Sequence, residues 1–399
     1  MAVGIIAEYN PFHTGHKYQI DQVRKKFFDA EIVAVMSGNF SQRGEPTILD
    51  KWTRANLAVE NGVDLVLELP FVSAVRSAQD FARGGVRLLN SLGIIDKLVF
   101  GAETSDLKKI QAAAEIFNTN FFVEKIKTEM SAGISYASAV AKILSEETNS
   151  AENFFKQPNT ILAVEYLRSL PKNIEPILIP RVGASYSEKN LQENFSSATA
   201  IRAEVYQKNP AWEKILKVTD KKVFAALQSE KNFGLVCEEN LFLPLMTKIF
   251  STSIDDFQKI FGMREGLENL IFKSAKDAKN FSDLVEKITN KRYQTSRVKR
   301  LLLHFLLNVT EIEIADFARV LAFNERGQKL LKKISQVSTL PIVTKVTKHL
   351  TEKDCLQKNF SAPYKKNLAF DIAATNLRNI LFLTPKKIGQ DFCTSPKKI

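Results

Sequence analysis

The sequence predicts an α/β fold: a parallel-sheet domain over residues 1–205, followed by a mostly α-helical, basic domain over residues 206–399. Three observations predict it. Through the first half, short continuous apolar runs alternate with helix-period segments, as in βα units whose sheet is covered on both faces. Past residue 205 the alternation gives way to helical patterns. The charge divides at the same place. Residues 1–200 hold 21 Lys and Arg against 23 Asp and Glu, a net of −2, whereas residues 201–399 hold 35 against 21, a net of +14. A chain of 399 residues is also long for one core, and two domains are expected.

The strands are read from the apolar runs Val3 to Ala7, Glu31 to Met36, Leu65 to Leu69, Lys97 to Phe100 and Pro176 to Ile179. Helices lie between them, among them Gly15 to Phe28, Lys51 to Asn61 and Ser77 to Leu92. A right-handed parallel sheet is the default for such a series, with ligands at the carboxyl ends of its strands. The linker is placed near residues 203–212. Beyond it, Lys221 to Lys231, Asn240 to Phe250, Phe281 to Thr289 and Tyr293 to Val309 read as helices. Ala318 to Phe323, Gly327 to Ile334 and Pro341 to Val346 read as a small β-α-β insert within the helical half, and the basic tail from Lys386 onward is expected to fray.

The composition narrows the class. Hydrophobic residues make up 45% and charged residues 25%, as in a globular protein in water. The three cysteines, Cys237, Cys355 and Cys393, are far apart and form no metal or redox spacing, which suggests a reducing, cytoplasmic setting. The N-terminal apolar run has no basic segment before it and ends at Glu8, unlike a signal peptide, and no stretch reaches transmembrane length. A net charge of +12 concentrated in one half points to a polyanionic partner.

The chemistry is concentrated after the first strand. Two of the four histidines stand in Asn10-Pro11-Phe12-His13-Thr14-Gly15-His16. Asn10-Pro11 breaks the strand, because the residue before proline avoids helical geometry. Thr14 is the expected N-cap of the following helix. The first helical turn offers unpaired N–H groups and a partial positive charge to a phosphate, and Gly15 leaves room for close approach. His13 and His16, three apart, can both face that phosphate and stabilise charge on a reacting phosphorus. Neither GxxxxGK[ST] nor GxGxxG follows a strand.

HTGH resembles the HxGH signature of the nucleotidylyltransferase superfamily. The later run Ser197-Ala198-Thr199-Ala200-Ile201-Arg202 resembles its second signature, with Ala198 where a serine is usual. EYNPFHTGH, MSGNFSQRGEP, DKWTRA, DLVLELP, FGAE, KQPNTILAVEYL and IPRVGASY, with the run Arg292 to Leu307, resemble the bacterial tRNA(Met) cytidine acetate ligase family over most of the chain. The resemblance implies a Rossmann-like nucleotidylyltransferase domain. It also implies activation of acetate by ATP to acetyl-adenylate, with Mg²⁺ on the ATP phosphates, and acetyl transfer to the wobble cytidine of elongator tRNA(Met) to give N4-acetylcytidine. It implies an ATP site formed by Ala7, Glu8, Tyr9, Asn10, Pro11, Phe12, His13, Thr14, Gly15, His16 and Lys17, with Gly101, Asn159, Arg181, Ser197 and Thr199. His13, His16 and Arg202 are the expected catalytic residues.

Other readings stay open in the residues themselves. The N-terminal signatures alone also allow a nucleotidylyltransferase for a small phosphorylated metabolite, which would have no use for a large basic second half. An RNA-binding module without turnover is a third reading. Arg43 could hold a carboxylate such as acetate or be a solvated turn residue. Asn159 is first an N-cap candidate, Gly101 a turn glycine, and Lys17 and Arg181 either phosphate contacts or surface charges. Lys291, Arg292, Arg297, Lys299 and Arg300 are five basic residues in ten positions, interleaved with Tyr293 and followed by an apolar run. They are expected to present charge to tRNA from a docked helix.

Overall fold

The expected first strand forms as β1 (Ala2–Ala7), followed by α1 (Thr14–Lys26), β2 (Glu31–Ser37), α2 (Lys51–Glu60), β3 (Leu65–Leu69), β4 (Ile95–Ala102) and β5 (Glu175–Pro180). A computed structural model describes residues 1–399 apart from 135, 152–153, 182–190, 192–194, 265 and 313–315, and apart from the side chain of residue 137. Most of IPRVGASY, from residue 182 on, therefore lies outside the described residues. β5, β4, β1, β2 and β3 lie side by side in that order and all pair in parallel.

Strand periodicity builds two cores, one on each face of the sheet. Val33 and Val35 point to one face, with Leu65, Leu67 and Leu69, and are covered by the helix Ala78–Ser91. Ile32, Ala34 and Met36 point to the other, with Val3 and Ile5, and are covered by α1 and α2. This alternation makes β3 apolar at nearly every position.

The β-α-β unit of the second half is present as β6 (Ala318–Phe323), the helix Glu325–Val337 and β7 (Ile342–Val343), but it is not a separate insert. β6 pairs antiparallel with β3 and extends the main sheet, so residues from both halves share one sheet. The C-terminal tail does not fray. The helix Gln390–Cys393 buries Asp391, and β8 (Lys397–Lys398) pairs with β6. Asp391 accepts from Lys51 Nζ at 2.8 Å and contacts Arg319. Lys51 also bridges Glu68 at 2.9 Å, so two cations and two carboxylates, all buried, tie the tail to α2, β3 and β6.

Several helices of the second half form a third core that closes on the sheet from its C-terminal edge. Phe40, in the loop after β2, and Phe71, Val72 and Val75, in and just past the short helix Phe71–Ala74 that follows β3, pack with the helices Phe242–Ser251, Leu267–Asp277 and Thr295–Leu306. The Thr295–Leu306 helix, which begins within the basic run, is thereby held over the strand ends. Among the described residues, no helix is long and apolar enough to cross a membrane.

Candidate nucleotide and RNA site

The loop after β1 is fixed from beneath by Arg54, which is fully buried. Its guanidinium donates to the carbonyls of Glu8 at 2.5 Å, Ser37 and Leu49 at 3.1 Å, and also Gly38. Asn10 Oδ1 accepts from the Ile48 N–H at 2.9 Å, and Glu8 Oε1 from the Gln42 N–H at 2.6 Å. Tyr9 takes a left-handed backbone, φ 48°, and its buried ring lies edge-on to His16, with centroids 4.9 Å apart.

The N-cap of α1 is His13, in place of the expected Thr14, which begins the helix. His13 Nδ1 accepts from the Gly15 N–H at 3.0 Å. An imidazole that accepts through Nδ1 carries its proton on Nε2 and presents that N–H as a donor. The cap also explains Gly15 more directly than ligand access does, because a Cβ there would come within 2.9 Å of His13 Cε1. The rings of His13 and His16 stack with centroids 3.8 Å apart. Burial, then Arg181 and Arg202, pushes the His13 pKa down to about 3. Burial, then His13 and Arg181, holds His16 well below its ordinary value. Both are neutral imidazoles near neutral pH, and His16 Nδ1 is buried without a hydrogen-bond partner.

The second signature meets the first directly. Ser197 caps the helix Ala198–Val205, its Oγ accepting from the Ala200 N–H at 3.0 Å. One turn on, Arg202 Nη1 donates to the Asn10 carbonyl at 2.8 Å. Arg202 also lies 3.7 Å from Glu45, which accepts from Lys299 at 3.1 Å. Glu45 thus joins the Arg202 helix to the basic helix. Burial opposes its charge, but Lys299 and Arg202 outweigh burial and hold its pKa below the ordinary value. Gly44 makes this junction possible: its φ is +84°, and a Cβ would sit 3.1 Å from the Arg300 backbone nitrogen.

These elements enclose one open cavity of about 1350 Å³. Ala7, Glu8, Tyr9, Asn10, His13, Gly15, His16, Gly101, Asn159, Arg181, Ser197 and Arg202 line it, and so do Arg43, Lys291, Arg292, Arg297, Lys299 and Arg300. Pro11, Phe12, Thr14, Lys17 and Thr199 do not. Phe12 is in the core beneath the loop, and the half-buried Lys17 pairs with Asp21. Asn159 is not an N-cap: it lies inside the helix Pro158–Ser169 and donates to Glu103 Oε1 at 2.7 Å. Glu103 also accepts from the Thr160 N–H at 2.8 Å, placing a carboxylate at the helix start, where it is favoured. Arg181 leaves β5 beside Gly101, where a Cβ would be 3.3 Å from Arg181 Cγ.

Of the five basic-run residues, Lys291 and Arg292 are exposed at the rim, while Arg297 and Arg300 are half-buried in the wall. Lys299 is turned into ion pairs with Glu45 and Glu238, so its place in the wall is structural. Sequence reasoning did not single out Glu45, Glu103, Gln42 or Arg76. The signal available for the first three was their position inside the family-like segments. In DKWTRA and DLVLELP, the same kind of segment holds Lys51, Arg54 and Glu68, which are buried framework.

Comparison with known proteins agrees with this fold. A family profile described as HIGH Nucleotidyl Transferase matches residues 1–391. A protein of Thermoanaerobacter sp. (strain X514) named tRNA(Met) cytidine acetate ligase is 36% identical over 403 residues, covering 98% of each chain. One of the same name from Clostridium novyi is 37% identical over 390 residues, covering 92% of this chain and 96% of its own. The crystal structure of apo Thermotoga maritima TmcAL superposes with a TM-score of 0.89 at 32% identity, covering 99% of this chain and 98% of that one. A second form, bound with alpha-thio ATP, gives 0.87 at 31% identity, covering 100% and 99%.

Proposed function

We propose, for a chain that belongs to the tRNA(Met) cytidine acetate ligases within the HIGH nucleotidyl transferase family, a reaction in two steps at this cavity. In the first, an acetate oxygen attacks the α-phosphorus of ATP, pyrophosphate leaves, and acetyl-adenylate forms. In the second, the exocyclic amine of the wobble cytidine of elongator tRNA(Met) attacks the acetyl carbon. AMP leaves with the bonding electrons and the amine gives up a proton, yielding N4-acetylcytidine.

One observation carries the reading. Arg202 of the second signature is hydrogen-bonded to the loop that carries His13 and His16, so both signatures line the same cavity at the end of β1. The two neutral imidazoles, at the start of α1, donate to the α- and β-phosphates, and Arg202 and the Ser197 turn meet the departing pyrophosphate. Neutral imidazoles suit this work, since they donate without requiring a buried cation before ATP arrives. Gly101, Asn159 and Arg181 border the nucleoside end. Among the described residues, no group of three or more His, Cys, Asp or Glu forms a metal cage. A Mg²⁺ held by the triphosphate's own oxygens requires none, and it would neutralise charge on the leaving group.

The same proposal assigns chemistry to the two halves. Residues 1–205 supply the nucleotide site and residues 206–399 the basic wall, through Lys291, Arg292, Arg297 and Arg300, although both halves share the sheet. A cytoplasmic setting follows from tRNA as substrate. The test is acetate-dependent AMP release together with transfer of labelled acetate into tRNA lacking the modification. AMP release without acetate dependence, or wild-type release by H16A, would overturn the assignment.

A further inference from the structure

The cavity wall carries far more positive charge than a nucleotide site uses. Among the described residues, ten Lys and Arg side chains line the cavity against four carboxylates. They fall into two groups. The cations that act on His13 and His16 are Arg181 and Arg202, at the nucleotide end. The cations that act on Arg300 are Arg297, Arg76 and Arg43, with Asp80 opposing them. Glu45, paired with Lys299 and near Arg202, lies between the groups and separates them.

The second group is built from both halves of the chain. Arg76 follows β3, is mostly buried, pairs with Asp80 at 2.8 Å and stacks on Phe261 at 4.5 Å. Arg297 stacks on the buried Tyr293 ring at 4.9 Å. Arg300 is half-buried, and among the described residues no carboxylate pairs with Arg297 or Arg300. Burial first, then these like charges, pushes the Arg300 pKa down to about 10. Three guanidiniums in one cavity wall, fixed by ring stacking, one ion pair and the Gly44–Arg300 backbone contact, form a site that is short of anions among the described residues, with the exposed Arg43 at its edge.

We propose that Arg43, Arg76, Arg297 and Arg300 form a clamp for the RNA backbone phosphates beside the acceptor cytidine, while the base reaches inward to the acyl group. This inference rests on the tRNA-ligase reading and assigns part of the RNA contact to the first half of the chain. Acetate fits the clamp less well. Its oxygen has to meet the α-phosphorus in near-attack contact, at the His13–His16 end. One negative charge also cannot balance Arg76, Arg297 and Arg300, beside which Asp80 is already paired with Arg76 and Arg83. Successive phosphates can, and planar guanidiniums match their oxygens in pairs. Lys299 is excluded, because its charge is already taken by Glu45 and Glu238.

The test uses the full-length protein and two variants, R43Q at an exposed position and R300Q in the wall. Binding of a tRNA(Met) transcript is measured over a range of salt concentrations. Acetate KM is measured by acetate-dependent ATP–pyrophosphate exchange without tRNA. Each variant is expected to bind tRNA about tenfold more weakly, with a salt slope shallower by about 0.7 to 0.9 for each phosphate no longer neutralised. Unchanged affinity and slope in R43Q and R300Q would overturn the clamp. A raised acetate KM for R300Q would overturn it in favour of a carboxylate site. Absence of acetate-dependent exchange in the wild type would instead refute the ligase reading, and the salt slopes would still judge the clamp.

Discussion

Acidification should unfold this protein through its buried histidines, and His13 allows that to be measured at the functional site. His13 is 4% exposed, and burial followed by Arg181 and Arg202 lowers its pKa to about 3. His304 is equally buried, bonded through Nε2 to the Val75 carbonyl at 3.0 Å, and lowered to about 4, by burial first and then Arg76. An unfolded histidine titrates near 6.5. Between these values the unfolded chain binds protons that the folded chain refuses, so stability is full above about pH 6.5 and falls as pH drops below it. Going from about pH 7.5 to about pH 5, each such histidine costs about 2 kcal/mol, and the pair about 4 kcal/mol. The assay is the urea-unfolding free energy at both pH values for wild type, H13N and H304N. The asparagine of H13N can still cap α1, because its side-chain oxygen can accept from the Gly15 N–H. H13N should therefore keep the fold and lose about 2 kcal/mol less than wild type on acidification. Saturating ATP should narrow that difference, because a phosphate beside His13 favours its charged form. If H13N and wild type lose equal stability, His13 is not held neutral by its surroundings and the electrostatic account of the site is wrong.

Three further outcomes follow from particular contacts. R202Q removes the guanidinium that joins Asn10 to Glu45, and acetate-dependent AMP release should fall by about a hundredfold, with the melting temperature as the check on folding. K51M leaves Glu68 and Asp391 buried with Arg319 as their remaining cation; chemical denaturation should show a loss of about 3 kcal/mol or more. G44A imposes a side chain at φ +84° and against the Arg300 backbone; filter binding should show weaker tRNA affinity, with stability reduced by about 1 kcal/mol.

Much of the nucleotide half was legible because its determinants are local. The five parallel strands and the helices after them follow from apolar periodicity over short windows, and the HTGH and SATAIR signatures sit where strand ends and helix starts bring them. The second half was read less well. β6 has the residues of a buried strand, but nothing local says that it pairs antiparallel with β3. Its basic composition predicts a fraying tail, yet a single carboxylate, Asp391, docks it in a buried ion cluster.

By itself the sequence determined the five strands of the first half, the pairing of His13 with His16 at the start of α1, and the charge asymmetry between the halves. Each depends on residues close together along the chain or on a simple sum of charges. The tertiary structure decided which charges are available. Lys51 and Arg54 became framework, and Lys299 became the partner of Glu45, 254 positions away. Arg300, from the same helix, was left facing Arg76 across the cavity. An isolated cationic side chain is equally at home in water, in an ion pair or on a phosphate. The neighbours that choose among these are assembled only when the chain folds.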